Sequence, residues 1–297
     1  MSCRIKKSKS DVVFDIINYS LLTLVLIIVL YPLWFVVIAS FSDPLSVLRG
    51  EVWLIPKGFS VDAYKEVFAN KDIMVGYKNT CIYTILGTAV NLIMTIMAAY
   101  PLSRKDFYGR GTIMALFTFT MFFGGGLIPT YLVYDKIGLI NNIWVMILPG
   151  AVGVYNLILM KSFFESSIPY ELQEAAVIDG CNNLQILSKV IIPLSKPIIA
   201  VMVIFYGVAH WNEFFNALIY ISDRKKIPLQ LVLREILITQ SKLGDMAGMD
   251  SSVAQKQLNA ERIKYAVIIV SSLPVLCLYP FLQKYFMKGV MIGAIKG

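Results

Sequence analysis

The chain is poor in charged residues and in the residue types on which most enzymes depend. Only 15% of its 297 residues are charged, against roughly 25% in a typical soluble domain. It has one histidine, His210, and neither an H-E-x-x-H nor a G-x-S-x-G sequence, so metal-dependent and triad hydrolysis lack their usual parts. Its four cysteines are scattered without metal-ligand or redox spacing, which argues against structural disulfides. These absences disfavour an enzyme.

A phosphate-binding loop is also absent. No G-x-x-x-x-G-K-[ST] sequence occurs, and the glycine run at 124–126 is followed by Leu127 and Ile128 inside an apolar segment. We therefore do not expect the chain to bind ATP by that route. The net charge of +8, from 27 basic and 19 acidic residues, is spread over loops and segment ends. It does not form the basic stripe of a nucleic-acid-binding surface.

Long apolar runs dominate the rest of the chain. Hydrophobic residues make up 57% of it, and the mean hydropathy is +0.69. Runs of about 20 apolar residues match the thickness of a bilayer, and backbone pairing in lipid requires such runs to be helices. The sequence thus predicts an all-α integral membrane protein with six transmembrane helices. The predicted spans are Asn18 to Ala39, Thr80 to Tyr100, Thr112 to Tyr134, Ile143 to Phe164, Ile198 to Tyr220 and Ile263 to Leu282.

Basic residues in short flanks predict the orientation of these spans. Four lie within residues 4–9, before the first span, and three lie within residues 104–110, in the second connection. The positive-inside rule then places both of these segments, and with six spans also the C-terminus, in the cytoplasm. The first apolar run is longer than the roughly 7–15 residues of a signal-peptide core, so we interpret it as a retained anchor.

The most distinctive stretch lies between the fourth and fifth spans. Residues 174–180 read E-A-A-V-I-D-G, and Pro193 and Pro197 follow. Gly180 readily adopts positive φ and is expected to end a helix. The two prolines suit the start of the next helix, where a missing amide donor costs little. The stretch predicts a helix-turn-helix element, which the orientation places on the cytoplasmic side.

The spacing E-A-A-x-x-D-G resembles the cytoplasmic coupling motif of permease subunits in binding-protein-dependent ABC importers. The likeness extends over nearly the whole chain. Residues 162–172 with I-P-x-E-L resemble the lead-in of carbohydrate-uptake permeases, residues 283–297 resemble the family's Q-x-Y-F-x-K-G ending, and Y-P-L-W occurs at 31–34. Residues 210–215, H-W-N-E-F-F, are most similar to permeases for complex oligosaccharides or polysaccharides.

This resemblance implies a type I ABC importer permease (MetI-like) fold and a function. The chain would be the transmembrane subunit of an ATP-driven importer for an oligosaccharide delivered by an extracytoplasmic sugar-binding protein. The implied partners are a second, unlike permease subunit and two ATP-binding subunits, in the bilayer of a bacterial inner membrane. ATP and magnesium would belong to the ATPase subunits, with no cofactor in this chain. The rival interpretation is a secondary carrier or channel for small polar solutes, working through Glu213 and His210.

The resemblance also implies that the chain has three segments. Residues 1–17 would form a cytoplasmic N-terminal segment, residues 18–284 the permease domain, and residues 285–297 a cytoplasmic tail. The permease domain would include the coupling helices at 165–193 and the outer loop at 222–262. The outer loop either reaches the binding protein or lies on the membrane surface, and the tail either enters the ATPase interface or is unfolded.

Six residues are implied to couple transport to ATP hydrolysis. Glu174 and Asp179 would pair with basic residues of the ATPase, and Ala175 and Ala176 would pack closely against it. The alternative is that the two acids only cap or solvate a cytoplasmic helix. The six residues are Glu174, Ala175, Ala176, Asp179, Gly180 and Pro193.

Polar and aromatic residues of the fifth predicted span suggest a path for sugar, because an acid within a membrane normally faces a cavity or a partner. Helical spacing places Asn212 and Asn216 on one face. The alternative is a polar clasp with the other permease subunit. His210, Asn91 and Asn156 are expected to be hydrogen-bonded bundle residues. The path residues are Tyr206, Trp211, Asn212, Glu213 and Asn216.

The third predicted span contains a candidate hinge. Gly124, Gly125 and Gly126 weaken the helix, and Pro129 removes a backbone donor. We expect an interruption there, which serves either as a gate or hinge or as a packing notch for a neighbouring helix.

Overall fold

The computed structural model of the chain describes residues 8–245, 258, 260–277 and 280. No strand occurs among these residues, in agreement with the predicted all-α class. Short 3-10 turns lie at Ile143–Met146 and Arg224–Lys226, and a π-helical turn lies at Leu187–Ile191. The α-helices are α1 (Lys9–Ser40), α2 (Pro44–Leu48), α3 (Asp62–Ala69), α4 (Lys71–Ser103), α5 (Arg110–Phe122), α6 (Leu127–Lys136), α7 (Val154–Ser167), α8 (Tyr170–Ile178), α9 (Asn183–Ile186), α10 (Ile192–Leu194), α11 (Lys196–Trp211), α12 (Phe215–Tyr220), α13 (Leu229–Asp245) and α14 (260–277).

The chain forms two compact units. One contains residues 1–69 and 235–270, and the other contains residues 70–234 and 271–297. In the first unit α1 begins with a capping box, in which the Asp11 carboxylate accepts the amide of Ser8 at 2.9 Å. Its apolar side chains are exposed along almost its whole length, which suits a helix in contact with lipid or a partner.

The second unit is built around α4, which lies against α7 and α11. Small and polar residues recur every three or four positions on the buried face of α4, including Thr80, Gly87, Asn91 and Thr95. Such residues let helices in a membrane approach closely and hydrogen-bond to one another. At Gly87 the imidazole ring of His210 occupies the space where a Cβ atom would stand.

Two of the predicted spans are single helices long and apolar enough to cross a bilayer. These are α1 and α4, and two bent helix pairs, α5 with α6 and the 183–194 helix with α11, pass the same test jointly. The described residues therefore offer two to four crossings by length and composition. The count of six spans stays a prediction.

The predicted interruption of the third span is present. Helix α5 ends at Phe122, α6 begins at Leu127, and their axes differ by 114°. Gly126 has φ +85°, a conformation that glycine adopts without steric cost. Pro129 lies in the first turn of α6, where its missing N–H leaves no hydrogen bond unmade.

The predicted fourth span, 143–164, is wrong as a continuous helix. Only its second part is α-helical, because residues 147–153 leave the helix before α7 begins at Val154. Pro149 lies in this break, and Gly150 has φ +69°. Together they account for an interruption that hydropathy alone did not reveal.

The predicted fifth span, 198–220, is also interrupted. Helix α11 ends at Trp211 and α12 begins at Phe215, so Asn212 and Asn216 do not share a helical face as predicted. Two side chains end one helix and start the next. The Asn212 amide donates to the Val208 carbonyl at 2.9 Å, and the Glu213 carboxylate accepts the Asn216 amide at 2.9 Å.

Replacing Gly87 with alanine is expected to destabilise the second unit, because the new methyl group would overlap the ring of His210. Overpacking of this kind costs about 1–3 kcal/mol. The thermal unfolding midpoint of the detergent-solubilised protein measures the effect. Gly111→Ala is the matched control, since a Cβ atom there meets nothing within 4 Å. Equal midpoints for the two variants would contradict the packing described here.

Candidate functional site

The predicted helix-turn-helix element is formed by α8 and α9. Helix α8 ends in a Schellman motif, in which the amide of Gly180 donates to Val177 at 3.0 Å and that of Cys181 donates to Ala176 at 2.9 Å. Gly180 has φ +80°, as this motif requires. Helix α9 then starts with a capping box between Asn182 and Gln185. The turn is thus specified by local hydrogen bonds.

Pro193 and Pro197 stand in the first turns of α10 and α11, as the sequence predicts. The π-helical turn precedes Pro193, and turns of this kind accommodate irregular backbone pairing. At Ser195 the axis changes direction by 83° between the 183–194 helix and α11. We call residues 165–193 the coupling segment, and this bend joins it to α11.

One face of α8 is exposed and the other is buried. Glu174 and Ile178, four residues apart, are both exposed, and Ile178 is 85% accessible. Gln173 and Ala176 lie on the opposite face, and Ala176 is only 8% accessible. The side chain of Ala176 belongs to the core of this chain, and its predicted packing against another subunit stays a prediction. Ala175 remains exposed.

The turn adds further exposed groups to this face. Leu184 is 75% accessible, and Asp179 and Gly180 are exposed. The side chains of Glu174 and Asp179 form no hydrogen bond or ion pair with other residues that the structure describes. Sequence reasoning missed Ile178 and Leu184, although apolar residues in a connection expected to be cytoplasmic were an available signal.

The coupling segment is attached to the end of α4 through Arg104. Its guanidinium donates to the Tyr100 hydroxyl at 2.9 Å, to the Asn183 amide oxygen at 3.3 Å and twice to Asp106 at 2.8 Å. The bond from Arg104 lowers the pKa of the Asp106 carboxyl below its ordinary value. The pair is therefore at full strength above about pH 4 and is lost only as the pH falls through that lowered pKa.

A cavity of about 400 Å³ lies beside the base of α8. The Lys105 ammonium lies 5.4 Å from the centre of the Tyr170 ring, and Lys161 pairs with Glu165 at 2.7 Å. The buried amide oxygen of Gln173 has no hydrogen-bond partner among the described residues. The contact from Lys105 thus reaches the first residue of α8, the pair of Lys161 with Glu165 lies within α7, and both border unfilled space.

A network of polar side chains in the second unit hydrogen-bonds to the backbone of the non-helical residues 147–153. The Asn91 amide donates to the carbonyls of Gly150 at 2.8 Å and Ala151 at 3.0 Å, and its oxygen lies 2.6 Å from Nε2 of His210. Because both donors of Asn91 point at carbonyls, its oxygen accepts and Nε2 of His210 carries the proton. Asn91 and His210 are confirmed as hydrogen-bonded bundle residues.

Tyr206 makes a further hydrogen bond to the non-helical residues 147–153. Its hydroxyl lies 2.7 Å from the Thr95 hydroxyl and accepts the amide of Gly153 at 3.3 Å. Tyr206 is buried, so its ring does not offer an open face. Backbone groups in the apolar part of a bundle need such internal partners.

The predicted path residues fall into two groups. Tyr206 and Glu213 line a cavity of about 220 Å³ together with Asn91, Asn156 and His210. The others do not line it. Trp211 is buried, with its indole N–H donating to the Ser271 carbonyl at 2.9 Å. Among the described residues, no histidine, cysteine, aspartate or glutamate cluster could hold a metal ion.

The structure describes residues 222–245, 258 and 260–262 of the outer loop predicted at 222–262. Its first part is fixed to α4, since the Tyr83 hydroxyl donates to Lys226 at 2.7 Å and the Thr80 hydroxyl accepts the amide of Leu229 at 2.8 Å. The amphipathic stretch that follows is helix α13. The predicted tail at 285–297 lies outside the described residues.

A helical bundle with broken spans, and an anchored and exposed E-A-A segment at one end, define a class of membrane transport subunit. The chain belongs to the family of binding-protein-dependent transport system inner membrane components, which it matches over residues 73–292. It is therefore a transporter permease of the bacterial inner membrane and not an enzyme. The predicted permease function is confirmed at this level.

Two curated relatives cover nearly the whole chain. Protein LplC of Bacillus subtilis (strain 168) is 41% identical over 98% of this chain and 97% of its own length. The polygalacturonan/rhamnogalacturonan transport system permease protein YtcP of the same organism is 42% identical over 96% of this chain and 98% of its own length.

A solved structure shares the fold. It is one chain of a bacterial ABC transporter involved in the import of the acidic polysaccharide alginate, 34% identical to this chain. The match covers 95% of this chain and 99% of that chain, with a TM-score of 0.85. The predicted all-α ABC importer permease fold is thereby confirmed.

Replacing Gly180 with alanine is expected to loosen the turn between α8 and α9, because a left-handed conformation costs a residue with a Cβ atom about 1–2 kcal/mol. The amides of Gly180 and Cys181 should then exchange hydrogen roughly 5–30 times faster. Hydrogen exchange of the purified protein measures this. Gly180→Asn should have the smaller effect, since asparagine tolerates this conformation. Equal exchange in all three proteins would show that the turn does not depend on glycine.

Proposed function

We propose that the chain is one of two unlike permease subunits of an ATP-driven importer for an oligosaccharide, which an extracytoplasmic binding protein delivers. The observation that carries this proposal is the exposed face of the coupling segment. Glu174, Ile178, Asp179 and Leu184 are exposed there on a turn whose backbone is fixed by its caps. A turn with a fixed backbone, on which acidic and apolar side chains are exposed side by side, suits docking to another protein.

The proposed partner at this face is one of two ATP-binding subunits, which hold ATP and magnesium. Arg104 and the buried face of α8 tie the coupling segment to the core of this chain. Movement of the docked ATPase subunit would therefore be transmitted to α4 and α11. In this mechanism ATP binding shifts the bundle between inward-facing and outward-facing states, and the coupling segment biases that equilibrium.

An oligosaccharide is the proposed cargo because the residue pattern at 210–215 resembles that of sugar permeases and because YtcP and the solved transporter are named for polysaccharides. YtcP is named for polygalacturonan and rhamnogalacturonan, and the solved transporter for alginate. The outer loop at 222–262 is proposed to contact the binding protein. The interruption at Gly124, Gly125, Gly126 and Pro129 is proposed to act as a hinge.

The proposed arrangement in the membrane has six spans. Residues 18–284 form the permease domain, with residues 1–17 and the tail at 285–297 in the cytoplasm. The spans predicted third, fourth and fifth would each cross the bilayer as broken helices, which is tolerated where the irregular backbone is buried in protein. This requires the freed carbonyls to find partners, as Gly150 and Ala151 do in Asn91.

A carrier or channel without an ATPase is the weaker candidate. It would leave the exposed coupling segment without a role and would need Glu213 and His210 free to bind an ion or proton. Instead, Glu213 caps α12 and His210 donates to Asn91.

The orientation can be tested with two cysteine variants in a chain that lacks its native cysteines. Leu184→Cys and Lys225→Cys place thiols at exposed positions of the coupling segment and the outer loop. A maleimide that cannot cross membranes should label Lys225→Cys in right-side-out vesicles and Leu184→Cys only in inside-out vesicles. Labelling of both variants from one side would reject the proposed topology.

Replacing Glu174 with lysine should abolish coupling without unfolding the chain, because the side chain is exposed and its charge would be reversed at the docking face. Proteoliposomes containing this chain, its partner permease and the ATPase subunits provide the measurement. Both sugar uptake and ATP hydrolysis stimulated by the binding protein should fall at least tenfold, as expected when a charge pair at an interface is lost.

The matched control is Asp135→Lys, which makes the same charge change at an exposed position at the end of α6. It should leave transport intact. If uptake proceeds unchanged in the Glu174 variant, or without any ATPase, the importer mechanism fails. If both charge reversals abolish uptake equally, the effect does not belong to the coupling segment.

A further inference from the structure

Two adjoining cavities lie along the face shared by α7 and α11 in the second unit. The larger, about 710 Å³, is lined by residues that include Met121, Tyr155 and Ile204. The smaller, about 220 Å³, extends to Glu213. Asn156 and Phe205 line both. The cavities thus adjoin on one surface through shared lining residues, and the volume of the larger lies in the range typical of sites for small organic molecules, roughly 300–1,000 Å³.

The residues along this surface suit a molecule that is apolar on its faces and polar at its edges. Tyr155 is 57% accessible, so its ring offers a flat apolar surface. Asn156 forms no hydrogen bond with other residues that the structure describes, and it lines both cavities. A sugar ring has this character, with C–H groups on its faces and hydroxyl groups at its edge.

The charge on this surface has one sign only. Glu213 is an acid at the polar end, and the lining residues that the structure describes include no lysine or arginine. The carboxylate keeps one hydrogen bond, from the amide of Asn216. A like charge brought to this site would therefore meet a carboxylate with no lysine or arginine among the described lining residues; the guanidinium of Arg234 lies over the ring of Phe214, 5.5 Å from its centre.

We propose that Tyr155, Asn156 and Glu213 form one wall of a saccharide-binding groove in this subunit, and that Glu213 makes this wall accept hydroxyl groups and repel uronate carboxylates. The inference rests on the proposed function. It adds which chemical groups of the saccharide this subunit contacts and which it repels. An acidic saccharide would then pass with its carboxylates turned away from α11, toward cations on the partner permease.

The groove lies far from the ATPase docking face. His210 lies fourteen residue steps beyond Lys196 along α11, a distance of about 21 Å at 1.5 Å per residue. Substitutions in the wall can therefore be judged separately from substitutions in the coupling segment. A loss of sugar selectivity with intact ATP hydrolysis is a result that a coupling defect would not give.

The decisive variant is Glu213→Gln, because glutamine removes the charge and its amide oxygen can still accept the bond from Asn216. The probes are a neutral trisaccharide of galactose and the trisaccharide of galacturonic acid. Uptake of each is measured in proteoliposomes holding the complete transporter and its binding protein. The ratio of acidic to neutral uptake, relative to the parent chain, should rise about fivefold or more. The binding protein's own preference cancels in this comparison.

Asp135→Asn is the charge control, since it removes one acid at an exposed position that lines neither cavity. Its ratio should equal that of the parent. Two further variants, Tyr155→Leu and Asn156→Ala, should reduce the number of sugar molecules moved per ATP hydrolysed, with stimulated hydrolysis retained. Tyr19→Leu on α1 is the control for the tyrosine, because Tyr19 is similarly exposed, at 65%.

An unchanged ratio in the Glu213 variant overturns the charge selection. Unchanged stoichiometry in both the Tyr155 and Asn156 variants overturns the groove itself, while leaving the importer intact. If the parent complex hydrolyses ATP in response to its binding protein but moves neither trisaccharide, the saccharide cargo of the proposed function fails, and the groove fails with it. That outcome is visible before any variant is compared.

Discussion

The second unit depends on how its side chains satisfy backbone groups that leave the helix inside an apolar bundle. Between residues 147 and 153 the chain is not helical, and in lipid each unpaired carbonyl or amide would cost several kcal/mol. Asn91 bonds the carbonyls of Gly150 and Ala151, and Tyr206 bonds the amide of Gly153. These contacts fix α4 and α11 to the start of α7, and the polar cavity lies where they meet.

The same helix, α11, connects the two regions of functional interest. At one end the bend at Ser195 joins it to the coupling segment, and at the other end it stops at Trp211, beside Glu213. The Asn212 and Glu213 side chains at the end of the helix are hydrogen-bonded locally, whereas the buried hydroxyl of Ser195 at the bend has no partner among the described residues. An ATPase docked at Glu174 and a sugar bound near Glu213 would both act on one rigid element, which is the physical requirement for coupling between distant sites.

The sequence predicted the helical class, two single-helix spans, the break at the glycine run and the turn at Gly180, because each follows from local rules. Hydropathy says where the chain is apolar, and glycine and proline say where helices end. The break in the fourth span had a local signal in Pro149 and Gly150, which the hydropathy of the segment outweighed. The break in the fifth span could not be predicted, since Asn212 and Glu213 act as caps only when the chain has already turned. The sequence also could not show whether Ala176 is buried or exposed, because that depends on which face of α8 packs against the core. The open positions of Tyr155 and Asn156 are likewise set by packing between helices, which no single segment encodes.

The contact between Gly87 and His210 restricts how the transporter can move. The ring fills the space of a missing side chain and is held there by Asn91, one turn further along α4. Sliding or rolling of α4 against α11 by even one residue would drive the ring into a neighbouring side chain and break its bond to Asn91. This contact therefore opposes relative movement of the two helices at the level of Gly87. A pathway that opens while this contact persists would have to use elements outside the pair, such as the sharply bent junction of α5 and α6.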